Sequence, residues 1–194
     1  MPKPKKQPRV ERDTYAMMLA FVASLRSEDP TRKVGAVALD ANGYVIGVAY
    51  NGVKSKTIMP DDFWSDRDGR RKYMIHAEQN LCALFKRGDA ETVAVTTKPC
   101  PSCANLLVAH GVRRVIYGED YTDDSSDILS TYGIESRFIP IADVLAEINA
   151  VSTARACPAC NSGATTRRPT DDFRRTVIAR PGVRPARSRV PRAG

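Results

Sequence analysis

Histidine is nearly absent from this chain, with two in 194 residues, beside one tryptophan and an aromatic share of only 7%. No apolar stretch approaches the ~18 residues that a membrane span needs, so no transmembrane segment is expected. The start, Met1-Pro-Lys-Pro-Lys-Lys, is basic but leads into no apolar segment, so no secretory leader is expected. Five cysteines without such a leader fit free or metal-bound thiols in a reducing cytoplasm, not a disulfide framework. At 42% hydrophobic and 27% charged, the composition is that of a globular protein of one domain.

The formal charge of +8 suggests a nucleic-acid binder until it is partitioned. Residues 1–9 hold Lys3, Lys5, Lys6 and Arg9 with no acid. Residues 151–194 hold ten arginines, no lysine, and only Asp171 and Asp172. The stretch between them is left at −4. Both basic ends are also rich in proline, the composition of disorder. The expected organisation is a basic tail over 1–12, a domain over 13–150 and an Arg/Pro-rich, largely disordered tail over 151–194.

Within the domain, Tyr15, Met18, Leu19, Val22 and Leu25 fall at helical spacing over 14–26, with Asp13 placed to cap the start. Two apolar runs, 34–39 and 44–50, flank an Asn42-Gly43 turn, a hairpin signal. Residues 51–75 read as one long loop. Helices are expected over 76–87, with Leu81, Leu84 and Phe85 inward, then over 101–110, 125–132 and 141–149. Strands are expected over 92–97, 114–117 and 135–139. The order predicts an α/β fold, three-layer α/β/α, with a mixed sheet.

One histidine and two cysteines keep notable company: His76-Ala77-Glu78, then Pro99-Cys100-Pro101-Ser102-Cys103. Alone, H-x-E is commonly a surface helix start, and C-x-x-C is a redox pair or half of a structural zinc site. Together and in this order they match H-x-E…P-C-x-x-C, the known signature of zinc-dependent deaminases. The chemistry is consistent with that match. Three protein ligands leave one tetrahedral position of Zn²⁺ for water. Cys100 and Cys103, three apart at a helix start, share a face, and the helix terminus favours the thiolate that binds metal.

Residues 14–140 resemble the deoxycytidylate (dCMP) deaminase branch of the cytidine deaminase superfamily. The matching pieces are Arg26-Ser27-Glu28-Asp29-Pro30, Lys33-Val34-Gly35-Ala36, Tyr50-Asn51-Gly52, His76-Ala77-Glu78-Gln79-Asn80, Pro99-Cys100-Pro101-Ser102-Cys103-Ala104 and Tyr121. Ala49 departs from the glycine usual before Tyr-Asn-Gly.

The resemblance implies hydrolytic deamination of dCMP to dUMP and ammonia. Zn²⁺ on His76, Cys100 and Cys103 would make hydroxide available to attack C4 of the pyrimidine. Glu78 would shuttle the protons to N3 and to the leaving amine. The Ala77 backbone N–H would hold the base carbonyl, Asn51 the sugar, and Tyr121 would pack beside the nucleotide. Arg26, Ser27 and Lys33 are the phosphate candidates, set against solvated charges at a helix end. The resemblance also implies a homo-oligomer; it leaves the tails unexplained, and their charge alone gives the expectation of a weak contact with polyanions.

Some features stand outside this reading. Cys82 is expected to pack in the core and His110 to close its helix. Trp64 and the run Asp66-Arg67-Asp68-Gly69-Arg70-Arg71 could cover a site or bind phosphate, though a solvated, self-paired run is the expectation. Cys157 and Cys160 could form a zinc site shared between subunits, a redox pair or an inert remnant. Two rival functions remain: a deaminase of a polynucleotide such as tRNA adenosine, and a non-catalytic, zinc-stabilised nucleic-acid binder. The acidic domain opposes the first and Glu78 the second.

Overall fold

A computed structural model describes residues 9–122 and 124–154. The flanking segments that carry most of the basic charge, with Cys157 and Cys160, lie outside the described residues, as does Asp123.

A five-stranded mixed sheet forms the middle layer, in the order β2-β1-β3-β4-β5. Its strands are β1 (Gly35–Leu39), β2 (Val45–Tyr50), β3 (Thr92–Val95), β4 (Arg114–Tyr117) and β5 (Glu135–Phe138). β1 runs antiparallel to β2 and β3, while β3, β4 and β5 are parallel. The β1–β2 turn forms as the Asn-Gly signal predicts: Gly43 sits at φ 81°, and the Asp40 carboxylate accepts from the Asn42 and Tyr44 amides at 2.9 and 2.8 Å.

Strand periodicity divides the core in two. Ala36, Ala38, Val93, Val95 and Val115 face one helical layer, and Val37, Leu39, Ala94 and Ile116 face the other. α1 (Arg12–Ser24) and α6 (Ile141–Ala154) cover the second face. α3 (Ala77–Cys82), α4 (Pro101–Ala109) and α5 (Ser126–Thr131) cover the first, through Leu81, Leu107 and Leu129. Full burial of each such side chain contributes about 2 kcal/mol.

Several local expectations are corrected. α1 turns inward its small face, Ala16, Ala20 and Ala23 with Met17, and leaves Tyr15, Val22 and Leu25 about half exposed. The cause is close approach to β1. A Cβ on Gly35 would stand 2.0 Å from the Ala20 carbonyl oxygen, so around Ala20 and Ser24 only small residues fit between helix and sheet. Asp13 caps nothing; it is buried against two arginines. The expected 76–87 helix ends at Cys82, leaving Leu84 exposed. The last helix runs beyond 149, to Ala154. The 51–75 loop contains a helix, α2 (Arg67–Tyr73). Cys82 is buried in the core as expected, and the His110 ring bonds to the Leu106 carbonyl at 3.0 Å. Among the described residues, no helix is long and apolar enough to cross a membrane.

Candidate active site

Two helix starts and the ends of one loop converge on a cavity of about 280 Å³. His76 is the extended residue just before α3, held there by its amide, which donates to the Gln79 side chain at 2.8 Å. Cys100 occupies the same position before α4, where Pro101 starts the helix without an amide to satisfy. Cys103 lies one turn on, buried. A small antiparallel bridge, Gly52 with Ile75, pins the two ends of the long loop between Asn51 and His76.

His76 Nδ1 lies 3.3 Å from Cys103 Sγ and 3.6 Å from Cys100 Sγ, and the three ligand atoms all fall within 4.8 Å of one another. Zn–S bonds of ~2.3 Å and Zn–N bonds of ~2.05 Å at a tetrahedral angle place sulfur and nitrogen about 3.6 Å apart. The donor set therefore fits zinc in both chemistry and spacing.

The electrostatics agree. The neighbouring Cys103 thiol, with His76 and Ser102, holds Cys100 far below the ordinary thiol range, at about 3. The proximity of Cys100 and burial push Cys103 up. Hydrogen bonding to Cys100 outweighs burial and raises His76. A cation at this point replaces the shared proton, so metal binding releases it.

Glu78 lies in the first turn of α3, 4% exposed, with its carboxyl raised above the ordinary value by burial. It lines the cavity with Ala77, the first residue of α3, whose N–H has no partner within the helix. Tyr121 lines it too, with the Arg32 guanidinium 4.8 Å from its ring centre. Asn51 is at the wall, but its amide is occupied: Oδ1 accepts from Val34 N at 2.8 Å and Nδ2 donates to Arg32 O at 2.9 Å. Asn51 thus fixes the strand entry beside the cavity.

Arg26, Ser27 and Lys33 do not join the site. Arg26 stacks 5.9 Å from the Tyr50 ring centre, Ser27 is buried, and Lys33 Nζ donates to the Ser27 carbonyl at 2.7 Å. The Asp29 carboxylate accepts from the Thr31 and Arg32 amides at 2.7 and 3.1 Å, a turn that gives the cavity Arg32 instead of Lys33. The cations that line the cavity with Arg32 are Arg67, Arg70, Arg71 and Lys98. The run 66–71 is therefore not self-paired. Asp66 spends its carboxylate capping α2, accepting from Asp68 N at 3.0 Å. The available signal was the spacing of Arg67, Arg70 and Arg71, one face of a helix.

Residues 10–119 match the family model of the cytidine and deoxycytidylate deaminase zinc-binding region. The chain belongs to this deaminase family. Zinc is the family's metal, and His76, Cys100 and Cys103 are positioned for it in this deaminase.

Among its relatives, the deoxycytidylate deaminase of Mus musculus is 30% identical over 132 residues, covering 63% of this chain and 73% of the mouse protein. That of Mycobacterium phage D29 is also 30% identical, over 58% of this chain and 98% of the phage protein. The dCMP deaminase of cyanophage S-TIM5 shares the fold of this deaminase. Its TM-score is 0.55 at 24% identity, covering 66% of this chain and 96% of the phage chain.

Proposed function

We propose that this deaminase converts dCMP and water to dUMP and ammonia. The observation that carries the reading is the joint lining of one cavity: His76 and Cys100 of the metal trio, with Cys103 buried beside them, and Glu78, together with arginines that no carboxylate pairs. Among the described residues, Arg32, Arg67 and Arg71 have no ion-pair partner. A phosphate dianion is the complement of such a rim, with charge-assisted bonds to each guanidinium. The names of the relatives in mouse and in phage D29 support the same substrate.

Zinc, when bound, supplies an acidified water at near-neutral pH. The chain's own residues do the rest. Burial raises the affinity of the Glu78 carboxyl for a proton and a neighbouring cation lowers it, so the group is suited to accept a proton and to give it up. In sequence it moves protons from water to N3 and to the leaving amine, as the C4–N bond breaks and a C4 carbonyl forms. The Ala77 N–H holds the base carbonyl, and Tyr121 covers the nucleotide. Asn51 serves this reading by holding the 32–34 strand entry, with the sugar at its side.

The reading extends to a homo-oligomer in the cytoplasm, with basic tails able to contact polyanions. The half-exposed apolar residues Tyr15 and Val22 on α1 and Leu25 just after it support the oligomer. Assay of dCMP, deoxycytidine, single-stranded DNA and RNA side by side tests the substrate. Preference for dCMP is expected; turnover of a polynucleotide alone would overturn the proposal.

A further inference from the structure

Lys98 is the one lysine among the cavity-lining cations, and it is built in differently from the arginines. Its side chain is 9% exposed, and its ammonium is already engaged by Asp124 Oδ1 at 2.7 Å and Ser126 Oγ at 2.6 Å. Asp124 also accepts from the Ser126 amide at 2.9 Å, so one carboxylate serves the lysine and the turn before α5.

Two more bonds join the same pieces of chain. The Lys98 amide donates to the Glu119 carbonyl at 2.8 Å. The fully buried Ser125 hydroxyl donates to the Pro99 carbonyl at 2.7 Å, immediately before the ligand Cys100. The connection from β4 to α5 is thus tied to the metal-ligand turn at Glu119 on one side of Tyr121 and at Asp124–Ser126 on the other. Tyr121 lies between the ties, against the cavity.

We propose that Lys98 is a positioning residue for the deamination: its bonds to Asp124 and Ser126 hold Tyr121 over the nucleotide. This rests on the dCMP reading above. Lys98 spends its hydrogen bonds on the loop, whereas Arg32, Arg67 and Arg71 are available to an anion. The two kinds of cation therefore have separable effects. Releasing the loop loosens the covering of the bound nucleotide and acts through Tyr121; removing a rim arginine deletes a contact to phosphate.

The test is steady-state kinetics on zinc-loaded wild type, Lys98→Met, Lys98→Arg, Asp124→Asn, Tyr121→Ala and the Lys98→Met/Tyr121→Ala double variant. Lys98→Met is expected to raise KM for dCMP about tenfold with a smaller fall in kcat, and Lys98→Arg to recover part of it. Asp124→Asn lies at an exposed position and keeps the test available if Lys98→Met does not fold. It should raise KM in the same direction, and the double variant should be no worse than Tyr121→Ala alone.

A lysine that itself binds the phosphate gives the opposite pattern. Asp124→Asn would then free its charge and lower KM or leave it unchanged, and the Lys98 and Tyr121 effects would add. Either result overturns the proposal. A wild type that turns over no dCMP overturns the substrate reading instead, so the two failures are distinguishable.

Discussion

Arg114 on β4 grips Asp13 at the start of α1 with both arms of its guanidinium, Nη1 to Oδ1 at 2.7 Å and Nη2 to Oδ2 at 2.5 Å. Arg137 of β5 adds a further bond to the same carboxylate, and Glu135 and Glu11 complete the cluster on the two arginines. This joins the first helix to the far edge of the sheet, which is the scaffold for the helix starts of the active site. Removing the buried carboxylate that these partly exposed arginines share loses several charge-assisted bonds at once. Asp13→Ala is expected to destabilise the fold by about 2 kcal/mol, read by denaturant unfolding at pH 7.

The pH dependence of that contribution has a definite sign. Burial raises the Asp13 carboxyl, but the hydrogen bonds from Arg114 and Arg137 outweigh it and hold the group below its ordinary value. A depressed carboxyl stabilises the fold above the unfolded pKa, about 3.9, and the stabilisation is lost as pH falls through the lower folded value. The stability gap between wild type and Asp13→Asn should therefore be widest near neutrality and close in acid. A gap that widened on acidification would contradict the assignment.

Metal analysis tests the ligand set. Cys103→Ser should cost about one equivalent of zinc per chain relative to wild type. It should also lower Tm, because the metal ties α3 to α4. Cys82 is buried in the core with its thiol pushed up to about 11, mainly by burial, so Cys82→Ala should leave the zinc content unchanged.

The arginine rim predicts a substrate-dependent effect. Arg67→Ala with Arg71→Ala should raise KM for dCMP by about tenfold or more, the loss of charge-assisted bonds to phosphate. Turnover of deoxycytidine, which has no phosphate, should change little. The dCMP effect should also shrink as salt screens the rim. Equal losses on both substrates would mean that α2 supports the fold of the site instead of binding the phosphate.

What could be read from sequence followed how local each feature is. The apolar runs of β1 and β2, the Asn42-Gly43 turn, and the two short motifs His76-Ala77-Glu78 and Cys100-Pro101-Ser102-Cys103 are each set within a few residues, and they form as expected. The inward face of α1 is set from outside the helix. Gly35 brings the sheet so close that alanines turn in and Tyr15, Val22 and Leu25 turn out. Asp13 looked like a cap because its partners, Arg114 and Arg137, lie more than a hundred residues away. Which cations line the cavity is set in a similar way: the Asp29 turn brings Arg32 to it in place of Lys33, and the Asp66 cap leaves the neighbouring arginines unpaired.

The central claim is tested most directly by product analysis of zinc-loaded protein given dCMP, with Glu78→Gln in parallel and its zinc content measured. Wild type should form dUMP and ammonia in equal amounts. Glu78→Gln should keep its metal and lose all but a trace of that activity. A wild type that holds zinc yet leaves dCMP intact, or a Glu78→Gln variant that turns it over at the wild-type rate, would contradict the account.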